Sequence, residues 1–366
     1  MHILSESERT YWLALASLPA IGARRFHSII EHFGSPQAAW LAPEKDWDGV
    51  AGMSLSRWQK TLQYRRKDYL SSFLERIYYG GIEALTLQDE RYPELLRSIP
   101  DPPPVLYMKG QIQERDKVNI AIVGTRKATP YGEKVCSQLT EELVQQERTI
   151  VSGLARGIDA IAHRTALEKG GRTIAVLACG LDKIYPKAHE ALAAAITERG
   201  ALISEYPPGS PAEPGKFPAR NRIISGLSQG VLVIEAGEKS GALITADQAL
   251  EQGREVFAVP GPITSSQSKG THRLIQQGAK LVTSIEDILS EVQIQFNFLA
   301  KPKQEIDLEP NEKKLLSHLD WEGKTIDQLI HCTGLKGPEI AVLLTHLEMK
   351  GMIKSLPGGG HFVSLL

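Results

Sequence analysis

Six short turns in the middle of the chain combine glycine with arginine or lysine, and most of them follow an apolar run. They read VGTRKAT (123–129), SGLARGID (152–159), CGLDKIYPK (179–187), PARNR (218–222), AGEKSGA (236–242) and PGPITSSQSKGTHR (260–273). Gly124 permits close backbone approach, Thr125 offers a hydroxyl, and Arg126, beside Lys127, offers a planar fork matched to phosphate oxygens. A helix expected from Pro130 would add its N-terminal dipole to the attraction for an anion. Ser152, Gly153, Arg156 and Gly157 repeat this chemistry, with Asp159 and, one turn further, His163 behind them. Phe217, Arg220, Asn221 and Arg222 open a helix with two arginines bracketing an amide. Arginine for a backbone and an aromatic face for a base is the usual pairing for a single strand, although Phe217 also suits a hydrophobic staple. Strand-to-helix turns are where open α/β sheets bind ligands, so the row of them points to a phosphate-bearing ligand.

The same residues offer little for catalysis. No G-x-x-x-x-G-K-[ST] occurs and no G-x-G-x-x-G follows an apolar run, which removes the main evidence for an ATPase loop or a dinucleotide site. Asp159, His163, Asp182 and Glu235 lie near expected strand ends, but nothing pairs them with a nucleophile. Acids among arginines more often hold the arginines in place, and His163 shares an apolar helix face with Ile158, Ile161 and Ala162. A binding protein with no enzymatic activity, cofactor or metal is expected. Basic turns spread over several strands, without a nucleotide fingerprint, favour a polymer over a small molecule.

The elements that must position these turns fall into zones. Residues 1–80 carry Leu, Ile, Trp and Tyr at helical spacing and read as an all-α domain. Within it, Leu18-Pro19-Ala20-Ile21-Gly22 leading into a helix resembles a helix-hairpin-helix unit, with Val50-Ala51-Gly52-Met53-Ser54 as a degenerate second copy. Residues 81–298 form the central domain. It is proline-rich up to about 118, and then apolar runs at 120–123, 150–151, 174–177, 202–203, 231–234, 256–259 and 280–282 alternate with helical stretches. Such runs fit a mostly parallel, doubly wound sheet covered on both faces. A linker is expected at 299–310, followed at 311–366 by three short helices and a glycine-turn hairpin, a winged-helix pattern. Its third helix, from Gly337, has no Arg, Lys, Asn or Gln for base edges, and residues 306–366 hold six Lys/Arg against eight Asp/Glu, so packing or protein contact is favoured over base reading.

Global properties exclude little by themselves. The 366 residues predict two or three domains, and 42 basic against 43 acidic residues leave any phosphate attraction to local clustering. Cys136, Cys179 and Cys332 lack disulfide or zinc spacing, which fits a reducing cytoplasm. No stretch approaches the roughly 20 apolar residues of a membrane span, and neither export nor insertion is expected.

In register, V-G-T-R, S-G-L-A-R-G-I-D-A-I-A-H, F-P-A-R-N-R-I-I-S-G-L-S, E-A-G-E-K-S-G-A-L-I-T-A, F-A-V-P-G and K-G-T-H-R-L-I-Q-Q-G-A closely resemble the DNA-processing protein A family (DprA/Smf). The resemblance implies an extended Rossmann-like fold that binds single-stranded DNA, protects incoming strands in natural transformation, loads the recombinase RecA, and dimerises through the central domain. Carried over by position, the pocket would hold Gly124, Thr125 and Arg126 with Ser152, Gly153 and Arg156, flanked by Arg220, Asn221 and Arg222, with Lys183 near the rim. Thr125 stands where many members have serine, which keeps the hydroxyl. Lys127, Phe217, Ser240 and Lys269 complete the expected DNA-contacting set, and Gly157, Asp159, His163, Glu235 and Gly241 are expected to support it. A different class, the nucleoside-monophosphate phosphoribohydrolases, shares a Rossmann-like fold and cleaves with a glutamate. Its P-G-G-x-G-T-x-x-E signature is not matched by the stretch from Glu235 to Ala242.

Overall fold

A computed structural model describes residues 6–299, 309–319, 324–349, 353–355 and 361–364, and the chain divides into two compact units at Gln293 and Ile294. In the first unit the chain starts with helices Glu6–Ser17, Ala23–Phe33, Pro36–Leu41, Leu55–Leu62 and Lys67–Tyr79. Gly22 precedes the second of them and Gly34 ends it in the left-handed region at φ 78°. Trp12, Phe26, Trp47 and Trp58 are buried between these helices. Their core is continuous with Val105, Tyr107, Leu177 and Leu202 of the sheet, so the helices share the apolar interior of the central region.

That region is built on nine strands: β1 Glu83–Thr86, β2 Val105–Gly110, β3 Asn119–Val123, β4 Thr149–Ser152, β5 Thr173–Val176, β6 Ala201–Ser204, β7 Gly230–Val233, β8 Glu255–Ala258 and β9 Lys280–Leu281. Their order is β1-β2-β6-β5-β4-β3-β7-β8-β9. From β6 to β9 all neighbours are parallel, while β2 runs antiparallel to β6 and β1 antiparallel to β2. The seven apolar runs correspond to the seven parallel strands. β1 and β2 were hidden in the proline-rich stretch. There the buried Trp12 indole donates to Pro104 O at 2.7 Å, which also accepts from Leu87 N at 3.1 Å, and the Tyr92 hydroxyl donates to Pro103 O at 2.8 Å, so aromatic side chains help satisfy the carbonyls of the proline run.

Coverage on both faces is visible in β3. Ile120 and Ile122 pack with Cys136, Leu139 and Leu143 of the Pro130–Gln145 helix, while Ala121 and Val123 pack with Ile223, Ile224 and Leu227 of the Lys216–Leu227 helix. The continuous apolar run Ile120–Val123 is what two covering layers demand. At the opposite end of the sheet from the turns, Arg172 makes a two-pronged bond to Asp116, Nε to Oδ1 and Nη2 to Oδ2, each at 2.7 Å. The same carboxylate accepts from Thr149 Oγ1 at 2.8 Å and Gln113 N at 2.8 Å, tying the starts of β3, β4 and β5 together.

The second unit is a winged-helix domain, with helices Pro310–Leu316, Ile326–Thr333 and Gly337–Met349 around Leu315, Leu329, Ile340, Leu344 and Leu347. A small sheet joins Lys324–Thr325, His361–Ser364 and Ile353–Ser355 in that order. Residues 300–308 of the expected linker and the expected glycine turn at 356–360 lie outside the described residues. Among the described residues no helix is long and apolar enough to cross a membrane.

Because Asp116→Ala strands a buried guanidinium, it should lower the free energy of unfolding by about 3–5 kcal/mol. The check is urea denaturation, with a lower midpoint at an unchanged slope.

Candidate nucleic-acid interface

Strand order reverses beside β3: β4, β5 and β6 lie on one side of it and β7, β8 and β9 on the other. The crevice outside the carboxyl ends of β3 and β7 is the place such a sheet leaves for a ligand. A cleft of about 790 Å³ opens there. Gly124, Thr125, Arg126, Asp159, Phe217, Arg220, Asn221, Ser240 and Gly241 all line it, drawn from segments more than a hundred residues apart. Lys127, Ser152, Gly153, Arg156, Gly157, His163, Lys183, Arg222, Glu235 and Lys269 do not.

The cleft presents one cation and two rings in series. The exposed Arg126 guanidinium lies 5.4 Å from the centre of the Phe217 ring, which lies 5.7 Å from the ring of Tyr185. Tyr185 is 52% exposed and is supplied by the third basic turn. Lys239 is a further exposed cleft residue, and Ser240 caps the Gly241–Glu251 helix by accepting from Ala242 N at 3.3 Å. Tyr185 and Lys239, which line the cleft, were not singled out from the sequence. Their signal was present: an aromatic next to proline within a basic turn, and a lysine directly before a helix cap. Lys127, Arg156 and Lys183 are exposed outside the cleft lining, and among the described residues no carboxylate pairs with them, with Arg126 or with Lys239. Lys269 instead meets Glu238 at 3.2 Å, with both side chains more than half exposed.

Arg220 and Arg222 do not present free guanidinium groups, contrary to expectation. The Arg220 side chain is buried and donates from Nη1 to Gly153 O at 2.7 Å and to Val176 O. Gly153 is required for this, since a Cβ there would lie 2.6 Å from Arg220 Nη2. Arg222 bonds to Glu205 and lies 3.5 Å from Asp101, away from the cleft. The reason is helical geometry: the helix begins at Lys216, so residues two apart point to nearly opposite sides and only one can face the cleft. Between them Asn221 donates from Nδ2 to Gly241 O at 3.3 Å, joining two walls of the cleft.

The acids are likewise engaged. Asp159 accepts from Gly153 N at 3.2 Å and Ala155 N at 3.3 Å; burial presses its carboxyl upward in pKa and the charge of Arg220 opposes that. Glu235 is buried and accepts from Thr129 N at 3.0 Å and Thr129 Oγ1 at 2.7 Å, holding the start of the Pro130–Gln145 helix. The Ser152 hydroxyl turns into the sheet, donating to Ile122 O at 2.5 Å. His163, on the apolar helix face, is wholly buried. The Thr173 hydroxyl donates to Ile150 O, so it accepts from the His163 Nδ1–H at 2.6 Å, and Nε2 has no hydrogen-bond partner. Burial drives the imidazole pKa down to about 3. Among the described residues no three His, Cys, Asp or Glu side chains are grouped to hold a metal ion.

Residues 83–293 match the DNA recombination-mediator protein A family. The chain belongs to the DprA/Smf family of DNA-processing proteins. Residues 300–359 match the DprA winged-helix domain, which accounts for the second unit. Protein Smf of Escherichia coli is 41% identical over 92% of this chain and 93% of its own length. The DprA crystal structure from Streptococcus pneumoniae has a TM-score of 0.66 at 36% identity, covering 80% of this chain and 99% of that one. DNA processing protein A from Helicobacter pylori, whose structure addresses its single-stranded DNA binding mode, has a TM-score of 0.53 at 32% identity, covering 58% of this chain and 96% of that one. The DprA/Smf assignment therefore covers both units.

Two measurements follow. Arg220→Met leaves Asp159 buried without its counter-charge and should cost about 3–5 kcal/mol. Adding Asp159→Asn should recover part of that loss, seen as non-additivity in a denaturation cycle. For His163, the fold holds the ring neutral while the unfolded chain takes up a proton below about 6.5. Stability is therefore complete above that pH and declines towards pH 3, and His163→Asn should flatten the decline by up to about 1.4 kcal/mol per pH unit.

Proposed function

We propose that the cleft at the β3/β7 switch point binds single-stranded DNA and performs no chemistry on it. The observation that carries this reading is the series Arg126, Phe217, Tyr185: a guanidinium for a phosphate beside two rings for unpaired bases. Exposed Lys127, Arg156, Lys183 and Lys239 widen the positive rim, so backbone charge supplies most of the affinity and sequence preference is weak. Single-strand binding by the Helicobacter pylori relative supports the same reading. Against a phosphoribohydrolase, both Glu235 oxygens are committed to Thr129, which leaves that carboxylate as a helix anchor and not as a base aimed at a sugar. The proposal extends to a homodimer formed through the central region, to protection of incoming strands in transformation, and to loading of RecA onto the bound strand.

Arg126→Ala should weaken binding to oligo-dT and mixed sequences alike and reduce the slope of log K against log salt by about 0.7. Phe217→Ala should cost about 1–3 kcal/mol with the slope retained. Fluorescence anisotropy at several salt concentrations reads both, and unchanged binding by Arg126→Ala would overturn the assignment. In the same samples, sedimentation should find two chains per complex, and adding RecA should give filaments on the bound strand that Arg126→Ala fails to support.

A further inference from the structure

We infer that a single strand leaving the cleft runs onto a second site, formed by Arg76, Lys183 and Tyr79, where the helical region meets the third basic turn. This rests on the single-strand reading of the cleft. Lys183 is two residues from Tyr185, the outermost ring of the cleft series, and its Nζ donates to Gly209 O at 3.3 Å. From the other side, Arg76 of the Lys67–Tyr79 helix reaches the same residue: a Cβ at Gly209 would lie 2.7 Å from Arg76 Nη1. Two exposed cations from segments a hundred residues apart thus converge on one loop residue. The nearby Asp182 carboxylate is engaged, accepting from Gly209 N at 2.8 Å.

Rings continue the track as well. Tyr79 follows Arg76 by three residues and so shares its side of the helix. Tyr78 and Tyr79 are 80% and 82% exposed, with ring centres 5.3 Å apart. The helix cannot swing freely beneath them. Its Phe73 is buried in the same apolar cluster as Leu177 and Leu181, and Leu74, Ile77 and Ile184 pack against that cluster. Cations and rings thus continue from Arg126 and Tyr185 through the Lys183–Arg76 pair to Tyr79. Exposed tyrosine faces can stack on unpaired bases, whereas a duplex keeps its base faces stacked inside, so a single strand is the ligand that uses both features.

The test is equilibrium binding of the full chain to labelled oligo-dT of about six and about twenty nucleotides, the first sized for one groove and the second long enough to leave it. Arg76→Ala combined with Tyr79→Ala should leave the short strand unaffected and weaken the long one roughly tenfold. Arg76→Ala alone should lower the salt slope for the long strand by about 0.7, and Tyr79→Ala alone should weaken it at constant slope. Unchanged binding of the long strand by the double variant overturns the second site while leaving the cleft reading standing. Equal weakening of both lengths also overturns it, because the loss would then lie in the cleft or the fold. If the unaltered chain binds neither strand, the cleft reading fails and the inference with it. A duplex that loses more affinity than the single strand in the double variant overturns the choice of ligand.

Discussion

One buried guanidinium organises the cleft. Arg220 sits under the turn after β4 and is bonded to Gly153 O and Val176 O, while Asp159, whose charge opposes its own, is held by two amides of the same turn. A charge so deeply buried persists only with polar partners on its protons and a counter-charge nearby. Meeting both needs fixes the Lys216–Leu227 helix, the ends of β4 and β5 and the start of the next helix relative to one another. Phe217 is carried by that helix, and Arg156 and Tyr185 follow the ends of β4 and β5. Their spacing therefore depends on a residue whose own charge is spent inside the fold.

The arrangement separates two uses of the same residue type. Arginines with carbonyls or carboxylates around them, Arg172, Arg220 and Arg222, brace the sheet and its helices. Arginines and lysines on loop tips, Arg126, Lys127 and Arg156 among them, face solvent without a paired carboxylate among the described residues. Acids follow the same division. Asp159 and Glu235 are turned inward onto backbone amides and a helix start, so the cleft keeps a positive rim in a chain whose formal net charge is −1. Local placement, and not overall charge, makes the surface suited to phosphate.

Much of the scaffold was legible from residue pattern. Continuous apolar runs marked the parallel strands because a strand covered on both faces has no polar side to alternate with. Pro130 after Thr129, and Gly34 after a helical run, marked helix ends because their backbone geometry suits few other places. The antiparallel strands β1 and β2, at one end of the sheet, were not legible. Short and close to prolines, they pair with each other and, through β2, with β6 far along the chain, and the buried Trp12 indole braces Pro104 from the first helix.

For the site, sequence by itself determined which turns carry glycine and cations and that these turns fall at strand ends. It also settled the family, through motifs in fixed order. Which arginines point outward was decided only by tertiary structure, because a side chain's direction depends on where its helix begins and on what lies beneath it. Arg220 and Arg222 are equivalent as letters. One is buried beneath Gly153 and the other beside Glu205, while Arg126, in the turn after β3, is exposed to solvent. The same holds for Tyr185 and Phe217, 32 positions apart in the chain, whose rings are brought to 5.7 Å by the sheet that separates them in sequence.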